Sequence, residues 1–451
     1  MSIIPALSGL CNENSAGQRR DFQTQETLEC PRNLPNEEPD VTRYPDAFIH
    51  DIPKSDLHVH LDGSLRLGSL IDMARKARIE LPSYTEAGMR ELVFKDSYAD
   101  LPEYLRGFGY TCAVLRDTEN LERAAYELAM DCMEEGVCYM EPRFAPQLLM
   151  DNKSMTMART LESVDKGLRR AKAENNARAE VKAGSLPPFD YGIIACAMRM
   201  FGASGFSPYY DAFYGLHCNS APEEVTRMAA VELARGVVRV RDELGIPIVG
   251  FDIAGQEAGY PADNFTEAFD YVHRNFMHKT VHAGEAYGAE SIFQAITDLH
   301  ADRLGHGYSL FDVDKVTAPV SEDRLLYTER LASFIADQRV TIEVCLTSNL
   351  QTKPELNDLR QHSLGKMLER RLSATLCTDN RLVSNTTVSR EIRLAVDNFD
   401  IGPKTLKNMI IYGFKRSFYP GSYTEKRDYV RRVISRYEAV AIKHGIDETA
   451  E

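Results

Sequence analysis

The chain has no CxxC pair, no low-complexity tract, no apolar run long enough to span a membrane and no excess of positive charge. Each absence removes a class of function. Without a span of about 20 apolar residues there is no membrane helix to predict. Nine cysteines, scattered and odd in number, argue against a disulfide framework and for reduced thiols, buried as small hydrophobic groups in a cytoplasmic protein. With 53 basic against 67 acidic side chains the net charge is −14, so the surface field opposes nucleic acid and acidic lipid. A small, roughly neutral substrate suits that balance. The opening MSIIPALSGLC has no basic region, is broken by Pro5 and carries Leu10 ahead of Cys11, and is expected to be a tail segment, not a targeting signal.

What is present is an ordinary globular composition, 43% hydrophobic and 27% charged, enough to bury a large core. Residues 1–50, rich in Asn, Gln, Glu and Pro, read as an irregular N-terminal extension. From there to residue 451 the pattern becomes regular. Eight short apolar or β-branched runs each precede a helical stretch: SDLHVH, VCYMEPRF, YGIIACAMR, IPIVGFDIAG, HKTVHAGE, ADRLGHGY, VTIEVCLTSN and LSATLCTDN. Eight alternations predict a single α/β domain, a TIM-type (β/α)8 barrel with extra helices over its carboxyl-end face; a doubly wound open sheet is the alternative. Two inserts exceed a normal crossover, around 64–135 and 200–224. The first contains LPEYLRGFGYTCAVL, expected to be an amphipathic helix at the barrel mouth carrying Tyr104, Leu105 and Phe108. The second, aromatic and glycine-rich, reads either as a lid or as surface packing. Beyond Thr387 the pattern is helical.

The polar residues fall where a barrel would use them. His58, His60, Glu141, Arg143, Asp252, His282, Glu285, His306, Ser348, Asn349, Asp379 and Asn380 lie at or just past the carboxyl ends of the predicted strands. In HVHLD, residues two apart share a strand face, so His58, His60 and Asp62 point one way. Alone, an HxH pair fits a satisfied core as well as a metal site. Its company sharpens the choice: VHAGE sets His282 near Glu285, a carboxylate able to act as acid or base; LGHGY holds His306 between glycines that allow close backbone approach; and LCTDN ends in Asp379 and Asn380, one carboxylate for a metal and one amide for a ligand.

In order, HVHLDGS, GFDIAGQE, VHAGE, LGHGY, CLTSN and TDN resemble the motifs of the adenosine deaminase family of metal-dependent amidohydrolases. The resemblance runs from about Lys54 into the C-terminal helices and implies zinc-dependent hydrolytic deamination of adenosine and 2′-deoxyadenosine. It implies one Zn2+ per chain, held by His58, His60, His282 and Asp379. Glu285 would protonate purine N1, and His306 would be the base or electrostatic partner of the activated water. His60 would also face the substrate, Asp62 would hold the ribose 5′-hydroxyl, the Gly255 N–H would meet N3, and Asn380 would meet N7.

Two features narrow the subtype and one departs from the family pattern. Two-metal relatives often use a lysine at the end of the fourth strand, and IPIVGFDIAGQE has none. The HxE and PCxxC signature of the other zinc deaminases, which act on cytidine or on bases in nucleic acid, is also missing. Many members carry a second aspartate where this chain has Asn380. An amide carries its donor at any pH and can pair with N6 and N7 of adenine. Another 6-aminopurine, adenine or a modified adenine nucleoside, is therefore the alternative substrate.

Overall fold

The computed structural model describes residues 43–450, apart from 100, 152, 318–320, 354, 355 and 357. The expected extension 1–50 lies outside the described residues except at its end. There Asp46–Asp51 forms a helix whose Phe48 and Ile49 are buried. Lys54 caps it, its Nζ donating to the carbonyls of Ile49, His50 and Ile52 at 2.6–2.9 Å. One turn and a half is too short for hydrophobic periodicity to announce it, which is why the segment reads as irregular in sequence.

All eight expected strands are present: β1 Lys54–His60, β2 Val137–Phe144, β3 Ile193–Met198, β4 Ile248–Ala254, β5 His278–Ala283, β6 Arg303–His306, β7 Thr341–Val344 and β8 Ser373–Leu376. Each pairs in parallel with the next. The pair Asp190–Tyr191 adds a short leading piece against β2. Between β8 and β1 the ring closes through a parallel bridge, Val59 to Asp379. There the His60 N–H donates to the Asp379 carbonyl at 2.7 Å and the Asp379 N–H to the His58 carbonyl at 2.8 Å. This is the TIM-type barrel; the open sheet is excluded.

Alternation along the strands explains the two sides of the wall. In β1, Leu57 and Val59 are fully buried against the helical layer, while His58 and His60 face the lumen with the other site residues. Buried Leu and Val between sheet and helices supply the nonpolar burial that drives closure. Of the seven described cysteines, six are buried, and Cys218 alone is exposed.

The long insert after β1 folds into helices Leu67–Ala77, Glu86–Leu92, Leu101–Val114 and Thr118–Glu134. Leu101–Val114 is the helix expected at the mouth. After β3 the chain forms Pro208–Leu216, started by Ser207 accepting from the Tyr210 N–H and by a proline in the first turn, and then Pro222–Leu244. Helices Val388–Asn398, Pro403–Arg416 and Tyr423–His444 complete the outer layer, the last opened by a capping box between Ser422 and Glu425. No helix among the described residues is long and apolar enough to cross a membrane.

Candidate active site

Five side chains from four strand ends converge at the carboxyl face. The His60 Nε2 is 3.2 Å from the His282 Nε2 and 3.4 Å from Asp379 Oδ1, which is also 3.4 Å from the His58 Nε2. One donor atom each from His58, His282, His306 and Asp379 lies within 4.8 Å of the others. The sequence-derived quartet is therefore brought together, and His306 stands as a fifth member beside it. All five are buried.

The backbone is bent to aim them. His306 and Asp379 sit in the left-handed region, φ +61° and +58°, costly for residues with a Cβ and a conformation that collects at functional sites. The glycine before His306 has a steric reason. A Cβ on Gly305 would stand 2.9 Å from the His58 ring.

Each ring is held from behind. His58 Nδ1 lies 3.0 Å from Glu343 Oε2, which leaves Nε2 buried with no hydrogen-bond partner. His282 Nδ1 is 2.9 Å from Asp252 Oδ2, which backs the ring from the side away from the cavity. Asp379 accepts from the Ser348 hydroxyl at Oδ2, 2.6 Å, leaving Oδ1 toward the histidines. For His306, a chain of donors fixes the proton. The Leu364 N–H donates to His362 Nδ1, so His362 carries its proton on Nε2 and donates to Asn349 Oδ1 at 3.0 Å; the Asn349 amide then donates to His306 Nδ1 at 3.2 Å. Neutral His306 accordingly presents Nε2–H as the nitrogen open to the cavity.

Protonation suits a cation. Burial holds the His60 imidazole well below 6.5 despite the pull of Asp379. For Asp379 burial acts upward, but the His58 side chain beside it, with His60 and His306 close by, outweighs that and keeps the carboxyl well below the usual range. A neutral imidazole and an ionised carboxylate are the ligand forms. The orphaned His58 Nε2, the free Asp379 oxygen and the N/O donor set fit a divalent transition metal with an open position.

Beneath this cluster the lumen is ionic. Arg143 pairs with Asp252 at 2.7 Å and Glu343 at 2.8 Å; Arg303 bonds Glu343 at 2.6 Å and also Glu141. Burial would raise the Glu343 carboxyl, yet Arg143 and Arg303 overcome it and hold it well below the ordinary range. Above the cluster opens a cavity of about 750 Å³, lined by His60, Asp62, Gly255, His282, Glu285, His306, Asp379 and Asn380 among others. Every sequence-derived site residue except His58, which lies behind the wall, faces it.

Three of these carry further detail. Burial pushes the Asp62 carboxyl up to about 7, backbone N–H groups pulling back, and its Oδ1 has no partner. Gly255 has φ +96°, a turn at the end of β4 that favours glycine. Asn380 donates through Nδ2 to the Tyr104 hydroxyl at 2.8 Å, while its Oδ1 is buried and unpartnered. The amide thus has one of its two N–H donors engaged within the protein.

Glu257 and Glu343 carry no role in the sequence reading. Glu257 accepts the N–H groups of Gly284, Ala286 and Tyr287 and the Ser291 hydroxyl at 2.6–3.1 Å, so it builds the loop that holds Glu285. Its only signal is its place at the end of GFDIAGQE. Glu343, flanked by Ile342 and Val344, has no local signal beyond a charge in an apolar strand.

The model of the adenosine deaminase family matches residues 53–204 and 217–435. An adenosine deaminase of Streptomyces coelicolor is 34% identical over 82% of this chain and 84% of its own. The adenosine deaminase of Mycobacterium marinum is 33% identical over 87% of this chain and 97% of its own. Among solved structures, an amidohydrolase of Burkholderia ambifaria with bound zinc superposes with a TM-score of 0.71 at 17% identity, covering 91% of this chain and 97% of that one.

Proposed function

The chain belongs to the adenosine deaminase family and is a hydrolytic deaminase, and from that premise we propose that it converts adenosine and 2′-deoxyadenosine to their inosine counterparts and ammonia, using one zinc ion. The observation that carries the reading is the convergence of buried histidines and Asp379 on a cavity whose wall also holds Glu285. His58, His60, His282 and Asp379 would hold the ion. When bound it supplies acidification of water, from a pKa of 15.7 toward about 7, which makes a nucleophile available near neutral pH.

Attack at C6 breaks the aromaticity of the purine, so a proton must reach N1 as the new C–O bond forms. Glu285 would make that transfer, from a loop whose N–H groups Glu257 binds. The Nε2–H of neutral His306 supports a hydrogen-bonding and electrostatic role toward the attacking oxygen over that of a base. Asp62 and Gly255 both line the cavity; Asp62 would take the ribose 5′-hydroxyl and the Gly255 N–H would meet purine N3. Asn380 would meet N7 through the second N–H of its amide, the first being given to Tyr104, while its unpartnered Oδ1 packs beside Gly63.

The size of the cavity favours a second reading, a 6-aminopurine other than adenosine. Purified protein should contain close to one zinc per chain and remove the ultraviolet signature of adenosine and deoxyadenosine faster than that of adenine. Folded protein that carries no metal after loading, or that leaves every aminopurine unchanged, overturns the proposal.

A further inference from the structure

Two polar side chains behind the cavity reach it only through His306. Asn349 stands on helix Leu346–Thr352, just after β7, and His362 follows the 3-10 turn Leu359–Gln361 in the crossover to β8. Asn349 is fully buried, His362 is buried beside it, and neither is among the residues lining the cavity. Burying an amide and an imidazole costs free energy unless both are hydrogen-bonded, and an apolar pair would fill the same space without that cost. What the polar pair adds is direction.

That direction is set by a backbone group. The Leu364 N–H, at the start of helix Leu364–Glu369, donates to His362 Nδ1 at 3.0 Å. A main-chain N–H can only donate, so Nδ1 is the acceptor and the ring proton lies on Nε2. Turning the ring over would set carbon against that N–H and leave a buried donor unpaired. Burial pushes the His362 imidazole down to about 3, so the ring is neutral near neutral pH. From Nε2 the bond runs 3.0 Å to Asn349 Oδ1; with the amide reversed, donor would face donor. The amide nitrogen then points at His306 Nδ1, 3.2 Å away, and makes it the acceptor. Tyr308, two residues after His306, packs edge-on against His362 with ring centroids 5.1 Å apart.

We propose that His362 is a positioning residue for the deamination: through Asn349 it keeps His306 in the tautomer that carries its proton on Nε2, as a donor to the water oxygen that attacks C6. The inference rests on the deaminase reading and deepens it. A donor oriented in advance stabilises the charge gathering on that oxygen without having to turn as the reaction proceeds. In the other tautomer Nε2 would offer a lone pair, and the charge would meet no donor there. Because the chain of bonds starts from a main-chain N–H, the choice of tautomer is made by the fold before any substrate arrives.

Two amide variants of the zinc-loaded full chain separate positioning from packing. His362→Gln can still donate to Asn349 Oδ1, whereas His362→Asn keeps an acceptor for the Leu364 N–H but is too short to reach Asn349. For adenosine, His362→Asn should lower kcat about tenfold or more with KM close to the parent, and His362→Gln should stay within about threefold of it. The 15N spectrum of histidine-labelled protein, with His306 assigned through His306→Gln, should show Nε2 protonated and Nδ1 bare in the parent and in His362→Gln. In His362→Asn the two nitrogens should move toward one another. Equal kcat in the two variants, or a parent whose His306 carries its proton on Nδ1, overturns this inference alone, whatever the variants do to the unfolding midpoint. A folded, zinc-loaded parent that leaves every aminopurine unchanged overturns the deaminase reading and this inference with it.

Discussion

The two halves of the barrel lumen, divided by the histidines, are built on opposite principles. Below, two guanidiniums, Arg143 and Arg303, pair with three carboxylates, Glu141, Asp252 and Glu343, all of them buried. Above, Leu105, Phe108, Met200 and Phe206 offer rings and thioether to an open cavity. At the boundary sit polar atoms without partners, His58 Nε2, Asp62 Oδ1 and Asn380 Oδ1. Every carboxylate below has a guanidinium partner, whereas the polar atoms at the boundary have none. The lower half fixes ring positions, and the boundary is left to be completed by a ligand.

That contrast can be broken from either side. The largest effect is expected at the boundary of the open half: Glu285→Gln should lower kcat by about 10² to 10⁴ while leaving metal content and the unfolding midpoint close to the parent. A loss of metal would instead make Glu285 part of the ligand set. Below the histidines the expected readout is stability. Glu343→Gln removes a charge shared by two buried guanidiniums, and breaking such a pair costs about 3–5 kcal/mol at neutral pH, measured by denaturant unfolding. Little change in stability would mean that the ionic lumen is only space-filling.

A sharper form compares two buried glutamates. Glu343 has cationic partners; Glu391 has neutral donors, the hydroxyls of Thr347 and Thr386 and backbone N–H groups, and burial raises its carboxyl to about 7. The signs are opposite. Glu343 is held low in the folded state, so its contribution is present above its unfolded pKa of about 4.5 and lost as pH falls toward the folded value. Glu391 is protonated in the fold while the unfolded chain ionises, so stability drains away as pH rises from about 4.5 to about 7, by at most about 3 kcal/mol. Glu391→Gln should therefore gain on the parent across that interval, whereas Glu343→Gln should keep a constant deficit there and narrow it only as pH falls below about 4.5. Parallel slopes for the two variants in unfolding measurements from pH 4 to 8 would sink the comparison.

Much of the upper half was legible in sequence, because the groups proposed for the chemistry there sit at strand ends in short motifs: HVHLD, VHAGE, LGHGY and TDN each place their residue by local register alone. The eight strands were legible for a similar reason, being apolar runs with abrupt polar ends. The lower half was not. Glu141, Arg143 and Asp252 were visible as strand-end polar residues, but their pairing with Arg303 and with Glu343, 200 residues after Arg143, is a property of the closed ring. Nor could sequence show that Tyr104 occupies the Asn380 amide or that Gln147 anchors the insertion, since both contacts join separate crossovers.

The seam of the barrel carries a consequence for how the protein comes into being. His58 and His60 leave the ribosome more than 300 residues before Asp379, and the bridge from Val59 to Asp379 that closes the ring also brings these three side chains together. A nascent chain lacking the last strand has no complete donor set, however well its first seven strands have formed. Whatever ion binds the closed ring but not the open one stabilises closure by mass action. Maturation of the enzyme and completion of its fold are thus one event, and withdrawing the ion should loosen the molecule first along the line where its beginning meets its end.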